Sequence, residues 1–567
     1  MRRLHLLLAE LTLLRQKALW LATGRILRRR PSYARRSGLR EGGSGYGGQD
    51  GIFGFAGFRK DAPRLAAGCF TVLVIVFTQT ASAALTNRYV DKNCATPSEP
   101  YDSWENAATD IQTAINYAYT VAGETVLVAA ATYDTGGVTN YPTATTLTNR
   151  IAIYKAITVR SANNDPTNTI IKGAWDPITT NGPAAVRCVY MTNRASLIGF
   201  MLTNGATLTS GGDGWYDRFG GGVHCQSTNT VISNCVLACN SANGAGGAWY
   251  GTLYNSTLIS NSAPNGGGGV YFSTLYDCTL TGNSTSNNYG GGGYAGNMYG
   301  CTLTRNWALK GGGGARLGIL SNCTLAGNSS GGDDGGGGAF GSILYNCVVS
   351  NNAAKYGGGA SVGTSCNCLL TGNLASNSGG GAYYATVSNC TLTGNSVPNG
   401  NGGGAHQSIL YNCLLSGNSA SSNGGGTHFG TLYNCTLTGN SASNAGGGTV
   451  TGGLYNCIVY FNTAPTGSNW FNTVFFTNSC TTPTTTVWAA GNITNDPMLV
   501  NKGSGYGTNH VAGTYRLAGN SPCINAGTNQ DWMTNAYDLD GRARIRYGIV
   551  DMGAYERVNE GTVYKVH

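Results

Sequence analysis

The sequence predicts an all-β fold, a single-stranded right-handed parallel β-helix with coils of about 22 residues and an N-terminal capping helix. Three observations predict it. The segment Thr431–Ala442, Thr-Leu-Tyr-Asn-Cys-Thr-Leu-Thr-Gly-Asn-Ser-Ala, returns in close copies every 21 to 24 residues from Cys235 to Cys457. In each copy an aliphatic residue follows the cysteine by two positions, the alternation of a strand with one buried face. The rest of the repeat is Gly-Gly-Gly with Ser, Ala and Asn, too small to pack the convex side that a leucine-rich repeat needs. With 88 glycines and 10 % charged residues in 567, the chain reads as one long stack with a small-residue core rather than several globules. About fifteen coils, ~4.8 Å apart, account for its length.

Each column of the coil has its own logic. The cysteine ladder is Cys235, Cys278, Cys301, Cys323, Cys347, Cys368, Cys390, Cys413, Cys435 and Cys457, with Ser256 filling the missing rung. The residue before it, from Asn234 to Asn456, is always Asn, Asp or Gly, the types that tolerate a left-handed bend. The aliphatic column from Leu237 to Val459 shares the cysteines' inward face, and the threonines between the two face water. An unbroken column of Asn240, Asn261, Asn283, Asn306, Asn328, Asn352, Asn373, Asn395, Asn418, Asn440 and Asn462 ends the strand, where stacked amides can bond from coil to coil. Glycines then turn the chain. Eight residues before each cysteine a small side chain, from Ala248 to Thr449, points inward. The column after it, Trp249, Tyr271, Tyr294, Arg316, Phe340, Ser361, Tyr383, His406, His428 and Val450, therefore turns outward, with the Tyr250, Phe272 and Leu317 column on its other side.

Along the chain, residues 1–58 form a basic, glycine-rich extension, read as a start assigned too far upstream, with an uncleaved anchor as the rival. Residues 59–83 read as a signal peptide: Arg59, Lys60 and Arg64, an apolar run from Leu65 to Phe77, and Ala81-Ser82-Ala83, with cleavage after Ala83. This predicts a secreted or cell-surface location and no membrane span in the mature chain. Residues 84–205 hold the cap and first coils, with an amphipathic helix from about Ser103 to Tyr119 whose inner face carries Ile111, Ile115 and Ala118, followed by strands at Val126–Val128, Ile151–Ile153 and Ile157–Val159. Residues 206–480 are the regular repeats, opened by an insertion at 206–222 that is expected to loop out. Residues 481–567 are the C-terminal coils and end. The net charge of +9 is concentrated before Arg64, so the remainder is slightly acidic and no nucleic-acid partner is expected.

The closing segment carries Ser521-Pro522-Cys523-Ile524-Asn525-Ala526-Gly527, Asp538-Leu539-Asp540-Gly541-Arg542 and Val550-Asp551-Met552-Gly553-Ala554-Tyr555-Glu556. These resemble the closing motifs of the secreted bacterial β-helix proteins with a choice-of-anchor Q domain, departing from them at Cys523 and Asn525. The resemblance implies a pectate-lyase-like solenoid exported to the cell surface. The Gly-Gly-Ala and Leu-x-x-Asn elements are also similar, more weakly, to the repeats of chlamydial polymorphic outer membrane proteins, which implies an adhesin.

Chemistry is scarce in the repeats. Between Lys355 and Asp496 there is no Asp, Glu, Lys or Arg, so the paired carboxylates of a glycoside hydrolase cannot be built there. Asp213, Asp217 and Arg218 in the insertion are the one close charged group, and they make a carbohydrate-active enzyme, a polysaccharide lyase or glycoside hydrolase, the second reading. The first is a binding or structural surface module, with Trp249, Tyr271, Tyr294, Arg316, Phe340, Tyr383, His406 and His428 as a platform for polysaccharide or another cell-surface component. No cofactor is expected. Asp538 and Asp540 are candidates for Ca²⁺ but lack the remaining loop ligands, so they read first as a turn. Stacked thiols at ~4.8 Å lie beyond the ~3.5 to 4.5 Å of a bridge, so the ladder acts as small hydrophobes. Any disulfide is expected among Cys94, Cys188, Cys225, Cys239, Cys366 and Cys523. Zinc is not expected, because the histidines lie off the thiol ladder.

Overall fold

The computed structural model describes residues 87–118, 123–472, 475–483 and 491–558. The extension and signal segment lie outside the described residues. The chain is a right-handed parallel β-helix. Among the described residues the coil strands form parallel sheets of 28, 15 and 8 members, in which each coil hydrogen-bonds to the one before and after it, and Leu499–Asn501 pairs antiparallel with Thr514–Leu517 apart from them.

The regular coil is a box with four left-handed corners, one every fifth residue. In one coil they are Gly267, Phe272, Asp277 and Gly282, with φ of 62°, 58°, 53° and 63°. The corner before each cysteine is the expected Asn, Asp or Gly. The corner six residues before it was not expected. There Phe272, Leu317, Val362, Tyr384 and Phe429 all have positive φ and are 39 to 52 % exposed. A corner resets the alternation, so this column points out of the coil rather than inward.

Within the glycine runs the corner member takes the left-handed region, as Gly267 and Gly312 do, and in two runs the glycine before it, Gly266 or Gly335, also has positive φ. The two after the corner are fixed by space: a Cβ on Gly268 would stand 2.4 Å from the Ser284 carbonyl oxygen, and one on Gly269 2.4 Å from that of Gly292 and 3.2 Å from Asn283 Cγ. Against this bare wall lies the asparagine ladder. Asn373 Oδ1 accepts from both the backbone N–H and Nδ2 of Asn352, each at 3.0 Å, while its own Nδ2 donates to the Val349 carbonyl at 2.8 Å. The pattern repeats from Asn240 to Asn462, so buried amides are satisfied along the stack. The thiols of the cysteine ladder are buried and unpaired and donate to main-chain carbonyls. Burial pushes the Cys235 thiol up to about 11, which keeps it an inert hydrophobe.

The helix is shorter than expected, Ile111–Tyr117. Ala108 bridges to Val90 as an extended residue, and Asp110 accepts from Thr113 N at 2.8 Å, so the N-cap falls at Asp110 rather than near Ser103. Ile111, Ala114 and Ile115 face the first strands, while Tyr119 lies outside the described residues. The first strands form at Thr125–Val128, Thr148–Ile153 and Thr158–Ser161.

The C-terminal segment runs back along one flank. Gly553 N donates to the Asn456 carbonyl at 2.7 Å, Ala554 N to Thr436 Oγ1 at 3.0 Å, and Asn412 Nδ2 to the Tyr537 carbonyl at 3.0 Å. Thr436, expected to face water, is buried beneath it together with Leu414 and Ile458. This corrects the reading of that column for the last coils: a strand face that is wet in the middle of the rod becomes an internal interface where the tail lies on it.

Candidate functional site

Parallel register builds one continuous spine from the column seven residues before each cysteine. It runs Tyr190, His224, Trp249, Tyr271, Tyr294, Arg316, Phe340, Ser361, Tyr383, His406, His428 and Val450, each opposite the next. The candidate platform residues are therefore brought together in one line, but not as an open surface. Tyr271 and Tyr294 stack at 4.4 Å, Tyr383 and His406 at 5.4 Å, and His406 lies 5.0 Å from His428. The Arg316 guanidinium lies 3.7 Å over Tyr289 and also faces Tyr294 and Phe340, so its cation–π capacity is used internally. Trp249, Ser361, His406 and Val450 are buried, against the expectation that the column faces solvent. The reason is the neighbouring corner: its outward side chains lean over the spine, as Tyr250 and Phe272 do on Trp249 at 4.9 and 5.8 Å.

At the insertion the arrangement opens. A cleft of about 390 Å³ is lined by Trp215 and Tyr216 from the insertion and by His224, Gln226, Trp249, Tyr250 and Phe272 from three successive coils. Trp215 is 59 % exposed, with its ring 5.1 Å from Phe219 and 5.5 Å from Trp249. Tyr250 and Phe272 stack at 5.6 Å to form the opposite wall. His224 is buried in the floor beside Tyr190 and Tyr216. Burial, then the charge of Arg187, holds it well below the usual histidine range, so it is neutral at pH 7. The sequence reading missed Tyr190, His224 and the corner rings. Its one available signal for the corner was Gly341, a glycine at φ 61° in a column that elsewhere holds side chains from Ala295 to Tyr384.

The insertion does not simply loop out, because two buried charged residues tie it down. Asp217 accepts from Thr146 N, Leu147 N and Asp213 N at 3.2, 3.2 and 2.9 Å. Arg187 donates to Asn149 Oδ1 at 2.8 Å and to the Gly220 and Phe219 carbonyls at 2.9 and 3.0 Å. Asp213 caps the turn at Trp215 and Tyr216, and Arg218 Nε donates to the Gly211 carbonyl. The three charged candidates thus shape the wall of the cleft, and no carboxylate lines it.

Asp538 and Asp540 are likewise engaged by protein groups. Asp538 Oδ1 accepts from Asp540 N and Arg542 N at 2.9 and 2.7 Å, and Asp540 pairs with Arg516 at 2.6 Å and Arg542 at 3.0 Å. Among the described residues no three His, Cys, Asp or Glu side chains cluster as metal ligands would.

No family model matches the chain, and no curated protein does. Among solved structures it is similar to the pectate lyase Pel9A, with 13 % identity over 83 % of this chain and 96 % of that one at a TM-score of 0.25. It is similar to the A-module of the mannuronan C-5 epimerase AlgE6 of Azotobacter vinelandii, with 13 % identity over 66 % and 95 % at 0.29. The Dettilon tailspike protein gives 13 % identity over 69 % and 68 % at 0.27. At these values the likeness says nothing about chemistry, and the parallel solenoid itself is visible in the strand order.

Proposed function

We propose that this is an exported rod that binds polysaccharide in the cleft between the insertion and the coils. The observation that carries the reading is the cleft's wall chemistry: Trp215, Tyr216, Tyr250 and Phe272 offer ring surface, and Gln226 and the tyrosine hydroxyls offer hydrogen bonds. Sugar rings present apolar C–H faces bordered by hydroxyls, and such a mixture of ring surface and polar edges is complementary to them. Binding without turnover is favoured because Asp217, the buried carboxylate nearest the cleft in sequence, is spent on the main chain of 146–147. A lyase or hydrolase needs an acid or base within reach of the scissile bond. The segment from Arg59 to Ala83 supports export, and the choice-of-anchor Q-like motifs support a place at a cell surface.

A glycan array probed with the chain from Ala84, with reducing-end release measured in parallel, tests this. The expected result is capture of a polysaccharide class without release, and a loss of about tenfold in affinity for Trp215→Ala, the ~1.4 kcal/mol expected for one stacked ring. Release of reducing ends by the wild type would establish the enzyme instead, and equal capture by Trp215→Ala would move the site elsewhere.

A further inference from the structure

We propose that His406 and His428 form a two-histidine site for one borderline transition-metal ion, Zn²⁺, Cu²⁺ or Ni²⁺, on the flank of the rod. The site is independent of the ring cleft and of its ligand. Strands Ala405–His406 and Thr427–His428 are neighbours in register, which sets the two side chains one above the other. Their ring centroids are 5.0 Å apart, yet the two Nδ1 atoms are only 3.2 Å apart. The nitrogens therefore lean toward a common point instead of projecting in parallel. Two nitrogens each ~2.0 to 2.1 Å from a tetrahedral ion stand about 3.3 Å from one another, so the observed spacing is that of two ligands sharing one metal.

The surroundings favour this use. Tyr383 stacks on His406 at 5.4 Å, and Phe429 meets His428 edge-on at 4.4 Å, so the rings are held in place as metal-ligating imidazoles need to be. Among the described residues no third His, Cys, Asp or Glu side chain clusters there, so water would fill the remaining coordination positions. Imidazole selects Zn²⁺, Cu²⁺ and Ni²⁺ over the oxygen-seeking Ca²⁺ and Mg²⁺. The competing use of the same geometry is an N–H···N hydrogen bond between the rings.

Titration calorimetry of the chain from Ala84 with ZnCl₂, and electron paramagnetic resonance with one equivalent of Cu²⁺, test the proposal. The expected result is one equivalent of Zn²⁺ bound, no heat with CaCl₂, and copper hyperfine coupling to two nitrogens. His406→Phe and His428→Phe keep an aromatic ring in the stack but remove the ligand. Each is expected to weaken Zn²⁺ binding by more than the ~10–100-fold that loss of a supporting partner costs. Unchanged uptake by the double variant, or none by the wild type, would overturn the site and leave the hydrogen bond. Should the phenylalanine variants melt early, the wild-type copper spectrum decides alone: coupling to two nitrogens supports the site, and coupling to fewer overturns it.

Discussion

Val362 shows what a single corner costs. Its φ is 52° and it is 50 % exposed, so a β-branched side chain occupies the left-handed region with little burial to offset the strain. The left-handed region costs an ordinary L-residue ~1–2 kcal/mol, and Asn tolerates it through local hydrogen bonding. Val362→Asn is therefore expected to stabilise the rod by about 1 kcal/mol, read as a higher urea midpoint at unchanged slope. The same residues mark the limit of reading from sequence. The corner before the cysteine was legible because only Asn, Asp and Gly stand there, and few physical demands select that set. The corner at Phe272 and Val362 was hidden, because bulky residues stand where the backbone asks for Asn or Gly, and alternation carried across a bend assigns the wrong face. That error also made Trp249 and His406 look like open platform residues.

At the scale of one coil, the asparagine ladder joins each strand's end to the next. Asn373→Leu would leave the Asn352 backbone N–H and one N–H of its side-chain amide without their acceptor in a fully buried site. With each orphan costing about 1–3 kcal/mol, the expected loss is ~3–5 kcal/mol. Because a coil touches only its neighbours, the loss should be felt locally. Hydrogen exchange is expected to quicken in the coils around Asn352 and Asn395 while the Asn240 region keeps its protection. The half-exposed Thr371→Val should change stability by less than ~0.5 kcal/mol. This ladder was readable in the sequence down to its coil-to-coil bonds. The helix was readable in kind but not in extent, since Asp110 caps it more strongly than the residues near Ser103. The insertion was readable as an interruption, but not as the wall of a cleft, because its anchors Arg187 and Asp217 come together only through the fold.

Over the whole molecule, the end of the chain closes the rod with a buried ionic knot. Arg544 is fully buried, and its Nη2 donates to the Asp551 and Gly553 carbonyls at 3.2 and 3.0 Å and pairs with Glu556 at 3.2 Å. Asp538, Asp551 and Glu556 are buried near it, and the charge of each acts on the guanidinium, that of Glu556 most. Asp538 Oδ2 and Asp551 Oδ2 accept the Glu556 and Arg557 main-chain N–H groups, yet burial outweighs these bonds at Asp551 and pushes its carboxyl up. Glu556 carries the imbalance. Burial pushes it up to about 8, and the nearby Asp551 adds to this although Arg544 opposes it. A carboxyl raised in the folded state stabilises the fold below its ordinary value near 4.5, and that contribution is lost as pH rises through about 8. The tail over Leu414, Thr436 and Ile458 is thus expected to loosen progressively from about pH 4.5 to about 8. Limited proteolysis should cut after Arg542 or Arg546 faster at pH 9 than at pH 6, once corrected for the protease's own pH profile. Glu556→Gln, neutral at both, should flatten that difference and hold the tail at pH 9. A tail cut equally fast at both pH values in the wild type would show that Arg544 keeps Glu556 ionised throughout.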